Sequence, residues 1–200
     1  MKKNALKSPK QTGFTLIELL VVIAIMVTLA GLGVSAYRTA INKANEVAAH
    51  AAMSNLTSAC DSFFDDYSRL PLSEGAKGDQ ERLSDNQLMS ILVGLESGED
   101  ENPKLQSYFT YTAAKGKGAH KYSGLDRSDT RAKLYGPWKN KNETERFYRL
   151  KFDYDYDQEI TESQSVGGKT HYDRRVLIHH LGRDGVSGQG KNSDNVYNYK

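Results

Sequence analysis

The chain has 200 residues, enough for one compact domain and one appended element, which excludes a large multidomain enzyme. Its formal charge is +2, but Lys2, Lys3, Lys7 and Lys10 all stand ahead of the first apolar run, so removing residues 1–13 turns +2 into −2. The basic balance therefore carries no nucleic-acid signal, no later run of Lys and Arg is interleaved with stacking aromatics, and the one cysteine, Cys60, excludes an intrachain disulfide.

Residues 14–36 read FTLIELLVVIAIMVTLAGLGVSA, with no charge between Leu19 and Ala36. As a helix they extend about 35 Å against about 30 Å of bilayer hydrocarbon, so the segment is long enough to span a membrane. The lysines ahead of it favour a cytoplasmic N-terminus and export of the C-terminal bulk. A secretory signal would offer a shorter apolar region and a small-residue cleavage site. Here Tyr37, Ile41, Ala44, Ala48, Ala51, Ala52, Leu56, Ala59, Phe63 and Tyr67 continue at three-and-four spacing. That spacing predicts one continuous helix to about Asp66, its second half forming the spine of a domain. Cys60 falls in the stripe with Leu56, Phe63 and Phe64 and reads as a core thiol, with no base near it to make a nucleophile. Glu18 interrupts the apolar pattern. A carboxylate there either finds a partner or sits hydrated at the bilayer edge.

Arg69-Leu70-Pro71 ends the helix, because proline excludes its predecessor from helical geometry. Ser84-Asp85-Asn86-Gln87 has the form of a capping box, and Leu88 to Val93 followed by Gly94 predict a short helix with a glycine stop. Ser107 to Ala113 is expected as a strand, and Lys115 to Arg131, rich in Gly, Lys, Ser and Asp, as a long surface loop. From Phe147, Tyr148, Leu150, Phe152, Tyr154 and Tyr156 alternate with Arg149, Lys151, Asp153, Asp155 and Asp157, the period of a half-buried strand. The acidic row is read as a solvated face rather than a metal site, since no complete calcium-loop pattern is present. Arg175 to Leu181 is a further strand, on which the adjacent His179 and His180 point to opposite faces, one inward and one outward. His171 is at no ligand spacing and no Ser, His and Asp set can be assembled, so a catalytic role is not expected. The fold class is α+β: a long N-terminal helix packed on a small antiparallel sheet.

The tail runs Leu181-Gly182-Arg183-Asp184-Gly185-Val186-Ser187-Gly188-Gln189-Gly190, then Asn192, Ser193, Asp194 and Asn195. Glycines let it fold back, and Asp184 and Asp194 with intervening carbonyls are hard oxygen donors suited to calcium. The other reading is a flexible polar tail. A phosphate loop is excluded by the missing lysine and following helix.

Gly13-Phe14-Thr15-Leu16-Ile17-Glu18 with Leu19 to Ile25 closely resembles the cleavage and methylation signal of type IV prepilins and type II secretion pseudopilins. The resemblance implies a leader over residues 1–13, cleaved between Gly13 and Phe14 by prepilin peptidase, and methylation of the new amine on Phe14. Residues 14–36 become the membrane and filament-core helix, and 37–200 the exported domain. It also implies that Glu18 meets the terminal amine of a neighbouring subunit in the filament. That agrees with the cost of leaving either charge buried alone.

Three later stretches resemble the major pseudopilin of type II secretion systems. These are Ala59 to Pro71 (ACDSFFDDYSRLP), Tyr135-Gly136-Pro137-Trp138-Lys139-Asn140, and the C-terminal glycine-rich loop. The second is similar to that family's Asp-Pro-Trp-Gly-Asn element, with Gly136 where Asp is usual and Lys139 replacing Gly. By this resemblance Asp184 and Asp194 are side-chain calcium ligands, and Leu181, Val186 and Gln189 offer carbonyls. The implied function is a pseudopilus subunit anchored by a single pass in the inner membrane, with its C-terminal domain in the periplasm. Its implied partners are copies of itself, minor pilins or pseudopilins, the prepilin peptidase, the inner-membrane assembly platform and the membrane. The alternatives are a surface type IV pilus subunit for adhesion, motility or DNA uptake, or a membrane-tethered binding module using the 115–131 loop.

Overall fold

A computed structural model describes residues 13–162, 168–187 and 194–199. The chain divides into two compact units between Lys43 and Ala44, and one helix, α1 (Leu16–Tyr67), contributes residues to each. Residues 1–12 of the expected leader lie outside the described residues, as does Gln189.

In the first unit α1 exposes its apolar side chains, Leu16, Ile17, Leu19, Leu20, Ile23, Ile25, Met26 and Leu29 among them. This is a helix long and apolar enough to cross a membrane, none of whose apolar window is buried. Such a surface suits lipid or other helices, not water.

In the second unit the same helix turns one stripe inward, burying Ala49, Ala52, Met53, Leu56, Ala59, Cys60 and Phe63. This is the stripe that the sequence spacing predicts. Ala49, Ala52 and Ala59 take little room in this core, while Met53, Leu56 and Phe63 supply bulk. Each large side chain so buried contributes roughly 1.5–3 kcal/mol by removal from water. Cys60 is fully buried, and burial pushes its thiol well above the ordinary range, which makes it inert core.

After α1 come β1 (Gln80–Leu83), α2 (Asn86–Val93), β2 (Gly124–Arg127), β3 (Ala132–Tyr135), β4 (Arg149–Phe152), β5 (Glu159–Thr161), β6 (Thr170–Tyr172), β7 (Val176–His180) and β8 (Val196–Tyr197). Four strands form one sheet in the order β1-β4-β7-β8, antiparallel throughout, with Leu150 opposite Ile178 and His179 opposite Tyr197. Leu150, Phe152, Val176, Ile178 and Val196 join the buried stripe of α1 in one core. The α+β arrangement of a long helix on a small antiparallel sheet is thus as expected. At the sheet edge, Asn198 exchanges hydrogen bonds with Ile178: its N donates to Ile178 O at 3.0 Å, and Ile178 N donates to its Oδ1 at 2.8 Å. The Asn198 amide also donates to Thr57 Oγ1 on α1 at 3.1 Å.

Several expectations are corrected. The N-cap of α2 is Asp85, whose carboxylate accepts from Gln87 N and Leu88 N; Gly94 then closes the helix in the left-handed region. Ser84 is instead buried, accepting from Tyr148 N at 2.9 Å and donating to Leu134 O at 2.7 Å. Ser107 to Ala113 forms no ladder strand. Tyr108 N and Phe109 N both donate to Leu92 O at the end of α2, and Tyr111 Oη donates to Ala48 O at 3.3 Å. The 115–131 stretch contains β2, paired with β3, and buried Arg146 holds it by donating to Lys121 O and, at 2.7 Å, to Ala119 O.

β4 keeps its expected alternation over Arg149–Phe152 only. The chain then turns, with Tyr156 at φ 58° and Gln158 at φ 67°. Asp153 is 3% exposed and is no part of a solvated face. His179 and His180 are both buried, not one in and one out, because β7 is an interior strand covered on both faces. His179 stacks on Tyr197 with ring centroids 5.9 Å apart, and His180 packs between Trp138 and Tyr148 at 5.0 and 5.1 Å.

Candidate functional site

At the start of the first unit, Gly13, Phe14 and Thr15 precede α1 in non-helical conformation, and Phe14 is 80% exposed. A peptide bond outside regular structure and beside an exposed side chain is accessible to a peptidase. Thr15 and Glu18 then close the helix end reciprocally. Glu18 N donates to Thr15 Oγ1 at 3.3 Å. In return the Glu18 carboxylate accepts from Thr15 N at 2.9 Å and from Thr15 Oγ1 at 2.8 Å. This is a capping box, Thr-x-x-Glu, satisfying donors that a helix N-terminus leaves orphaned. Its sequence signal is Thr15-Leu16-Ile17-Glu18, which goes unread when Glu18 is taken only as a charge in lipid. Glu18 thus stands one turn into an otherwise apolar helix, its carboxylate exposed and turned toward the helix start. The negative charge sits where the helix dipole favours it.

The second candidate region is the C-terminal loop. Gly182 and Gly185 both adopt φ 70°. A Cβ on Gly182 would lie 2.2 Å from the main-chain Asp194 O, which excludes a side chain, and at Gly185 the left-handed backbone disfavours one. Asp194 reaches back over this turn and accepts from Arg183 N at 2.8 Å and Asp184 N at 3.5 Å. Asp184 accepts from Val186 N at 2.9 Å. Burial, then the neighbouring Asp184 charge, pushes the Asp194 carboxyl up from its ordinary value. With the Asn195 amide oriented to satisfy its neighbours, its nitrogen donates to Leu181 O at 2.9 Å and Val186 O at 3.1 Å.

The structure therefore brings together the two expected carboxylates, Asp184 and Asp194, whereas the Leu181 and Val186 carbonyls converge on the Asn195 amide nitrogen, which already satisfies them. Gln189 lies outside the described residues. The carboxylate pair is of hard oxygens whose like charges a cation would offset, so these two residues fit calcium chemically, while the two carbonyls would have to leave the Asn195 amide to join them.

The loop is also tied to the Tyr135–Asn140 element. Asn140 donates to Gly182 O at 3.0 Å and to Glu145 O at 3.3 Å. Trp138 is buried against His180, and Gly182 N donates to His180 Nδ1 at 3.0 Å. His180 Nε2 then carries its proton, donating to Arg146 O at 3.2 Å. Two stretches that resemble one family separately are one structural unit in space.

Residues 8–34 match the family model described as the prokaryotic N-terminal methylation motif. That match supports a pilin-type protein. It spans Gly13, Phe14 and Glu18, and a motif of this kind implies processing by prepilin peptidase and assembly into a membrane-associated filament. The long apolar helix is consistent with membrane anchoring. No curated protein and no solved structure gives a significant match.

Proposed function

We propose that the chain is a structural, non-catalytic subunit of a type II secretion pseudopilus. It is cleaved between Gly13 and Phe14, methylated on Phe14, and assembled through α1 with copies of itself and minor pseudopilins on an inner-membrane platform. The observation that carries this reading is the methylation-motif match over residues 8–34, on a helix whose apolar surface is exposed and whose one early acid, Glu18, is turned to the helix end. On cleavage the amine of Phe14 becomes a cation beside the capping box. A Glu18 carboxylate facing a neighbour's amine removes two unpaired charges from a dry core.

Placement within pseudopili, rather than surface pili, is supported by the Asp184–Asp194 loop and its tie to the Trp138 element. In this reading the loop takes calcium, with Leu181, Val186 and Gln189 supplying carbonyls. Calcium binding to the folded state adds stability that a single cysteine cannot provide. The exported domain stands in the periplasm.

The test is Glu18→Val, which keeps the helix apolar. The variant is expected to be cleaved and membrane-inserted but to give no filament, while a deletion strain loses secretion of folded proteins. Normal filaments from Glu18→Val overturn the assembly role. Immunogold-labelled filaments on the cell surface, with secretion intact in the deletion strain, assign the chain to a surface pilus instead.

A further inference from the structure

The turn after β4 brings Asp153 and Asp155 against Asp79, which precedes β1. One carboxylate oxygen from each lies within 4.8 Å of the others. Oxygens sharing one calcium ion stand at most about 5.2 Å apart, since each is about 2.3–2.6 Å from the metal.

The hydrogen bonding of the cluster is incomplete in a specific way. Asp153 Oδ2 accepts from Gln158 N at 3.1 Å, yet Oδ1 of this 3% exposed residue is buried and meets no donor. Asp79 repeats the pattern. Its Oδ2 accepts from Thr161 N at 3.0 Å and lies 3.5 Å from Lys151 Nζ, while its Oδ1 is buried without a partner. The Asp155 carboxylate lies against that of Asp153 and cannot donate to it when ionised. Lys151 is ion-paired with Asp79 of this cluster, and the acidic neighbours Asp155 and Asp157 act on Asp153. Burial, then the contact with Asp155, holds the Asp153 carboxyl above its ordinary value. Buried acceptors left unmatched on two separate segments are costly unless a cation satisfies both.

The backbone is shaped to gather these groups. Asp153 and Asp155 would share one face of a straight strand; left-handed Tyr156 and Gln158 curl the chain beyond them. Gly78, at φ 62°, supplies the left-handed turn that leads into β1 beside Asp155, whose Oδ2 would be in ordinary contact, at 3.6 Å, with a Cβ there. The donor set is oxygen only, with no His or Cys, which suits a hard ion of the calcium class rather than zinc.

We propose that Asp79, Asp153 and Asp155 form a divalent-cation site that takes calcium and staples the lead-in of β1 to the turn after β4. The site is separate from the Asp184–Asp194 loop and does not depend on that reading. In it the ion supplies the partner that both orphaned carboxylate oxygens lack and offsets the charge that Lys151 leaves uncompensated.

The test uses the full chain purified in detergent, equilibrium dialysis against calcium chloride, and measurement of bound calcium. Asp155→Asn, whose side chain is exposed and so leaves the fold intact, binds one ion fewer per chain than the parent. Asp79→Asn, on the other segment, shows the same loss, and both losses persist when every chain also carries Asp184→Ala. Calcium slows amide exchange over residues 153–159 about tenfold in the parent and not in either variant. Undiminished calcium binding by Asp155→Asn, or a loss that Asp79→Asn does not share, overturns the site.

Discussion

The ring of His180 occupies the space that a side chain at position 136 would need. A Cβ built on Gly136 would fall 2.1 Å from His180 Nε2 and 2.4 Å from its Cδ2. The ring cannot retreat, being held between Trp138 and Tyr148 and by hydrogen bonds to Arg146 O and Gly182 N. The glycine at position 136 is therefore matched to a histidine elsewhere in the chain.

Gly136→Ala is expected to destabilise the protein by about 1–3 kcal/mol, the range for overpacking a well-filled core. Urea unfolding of the full chain in detergent checks this. His180→Ala in the same chain should return part of the loss, because it removes the atom that the new methyl strikes; strict additivity of the two changes would count against the contact.

His180 also sets a pH dependence. Burial lowers its pKa from 6.5 to about 4, against the raising effect of its bond to Arg146 O. The unfolded chain takes up a proton near pH 6.5 and the folded chain only near 4, so the contribution is complete above pH 6.5. It is lost as the pH falls toward 4, and amounts to on the order of 3 kcal/mol. Unfolding free energies at pH 7 and pH 4.5 should differ by less in His180→Gln than in the parent. An identical difference would show that other groups carry the acid sensitivity.

Calcium should act locally on the C-terminal loop. In the full chain, millimolar calcium is expected to slow amide exchange at residues 181–187 and 194–198, and Asp184→Ala to remove that protection while leaving exchange in β4 and β7 as it was. Equal exchange with and without calcium at 181–187 would remove the metal from this loop.

Much of the architecture is legible in the sequence because it rests on long, strongly periodic signals. The apolar run from Leu19 and the stripe through Ala52, Leu56, Ala59 and Phe63 define α1 to within a residue of its observed end at Tyr67. Leu88 to Val93 with Gly94 marks α2. Local pattern fails where tertiary contacts replace it. Phe109 and Tyr111 alternate as strand residues do, yet their segment bonds to the end of α2 and to α1. β2 reads Gly-Leu-Asp-Arg, too polar and too short to register as a strand in a loop-like composition. Asp153 would be solvated on a straight strand and is buried because the chain turns there. Alternation assigns His179 and His180 to opposite faces, and nothing in β7 itself reveals that both of those faces are covered. At the candidate processing site, Gly13, Phe14 and Glu18 are legible from the motif, whereas the bond between Thr15 and Glu18 emerges only when the acid is considered as a cap and not as a misplaced charge.

Arg146 grips Ala119 and Lys121 through their main-chain oxygens and rests 5.5 Å over the Tyr135 ring. Its hold ignores side-chain identity, and its own position lies downstream of the stretch that it restrains. Exposed positions such as Arg127, Asp129 and Thr130 can thereby change while the backbone between Ala119 and Lys121 stays pinned, whereas Gly116 must stay a glycine because a Cβ there would strike His120 O. Part of the outer face of this domain can diversify without renegotiating the fold beneath it.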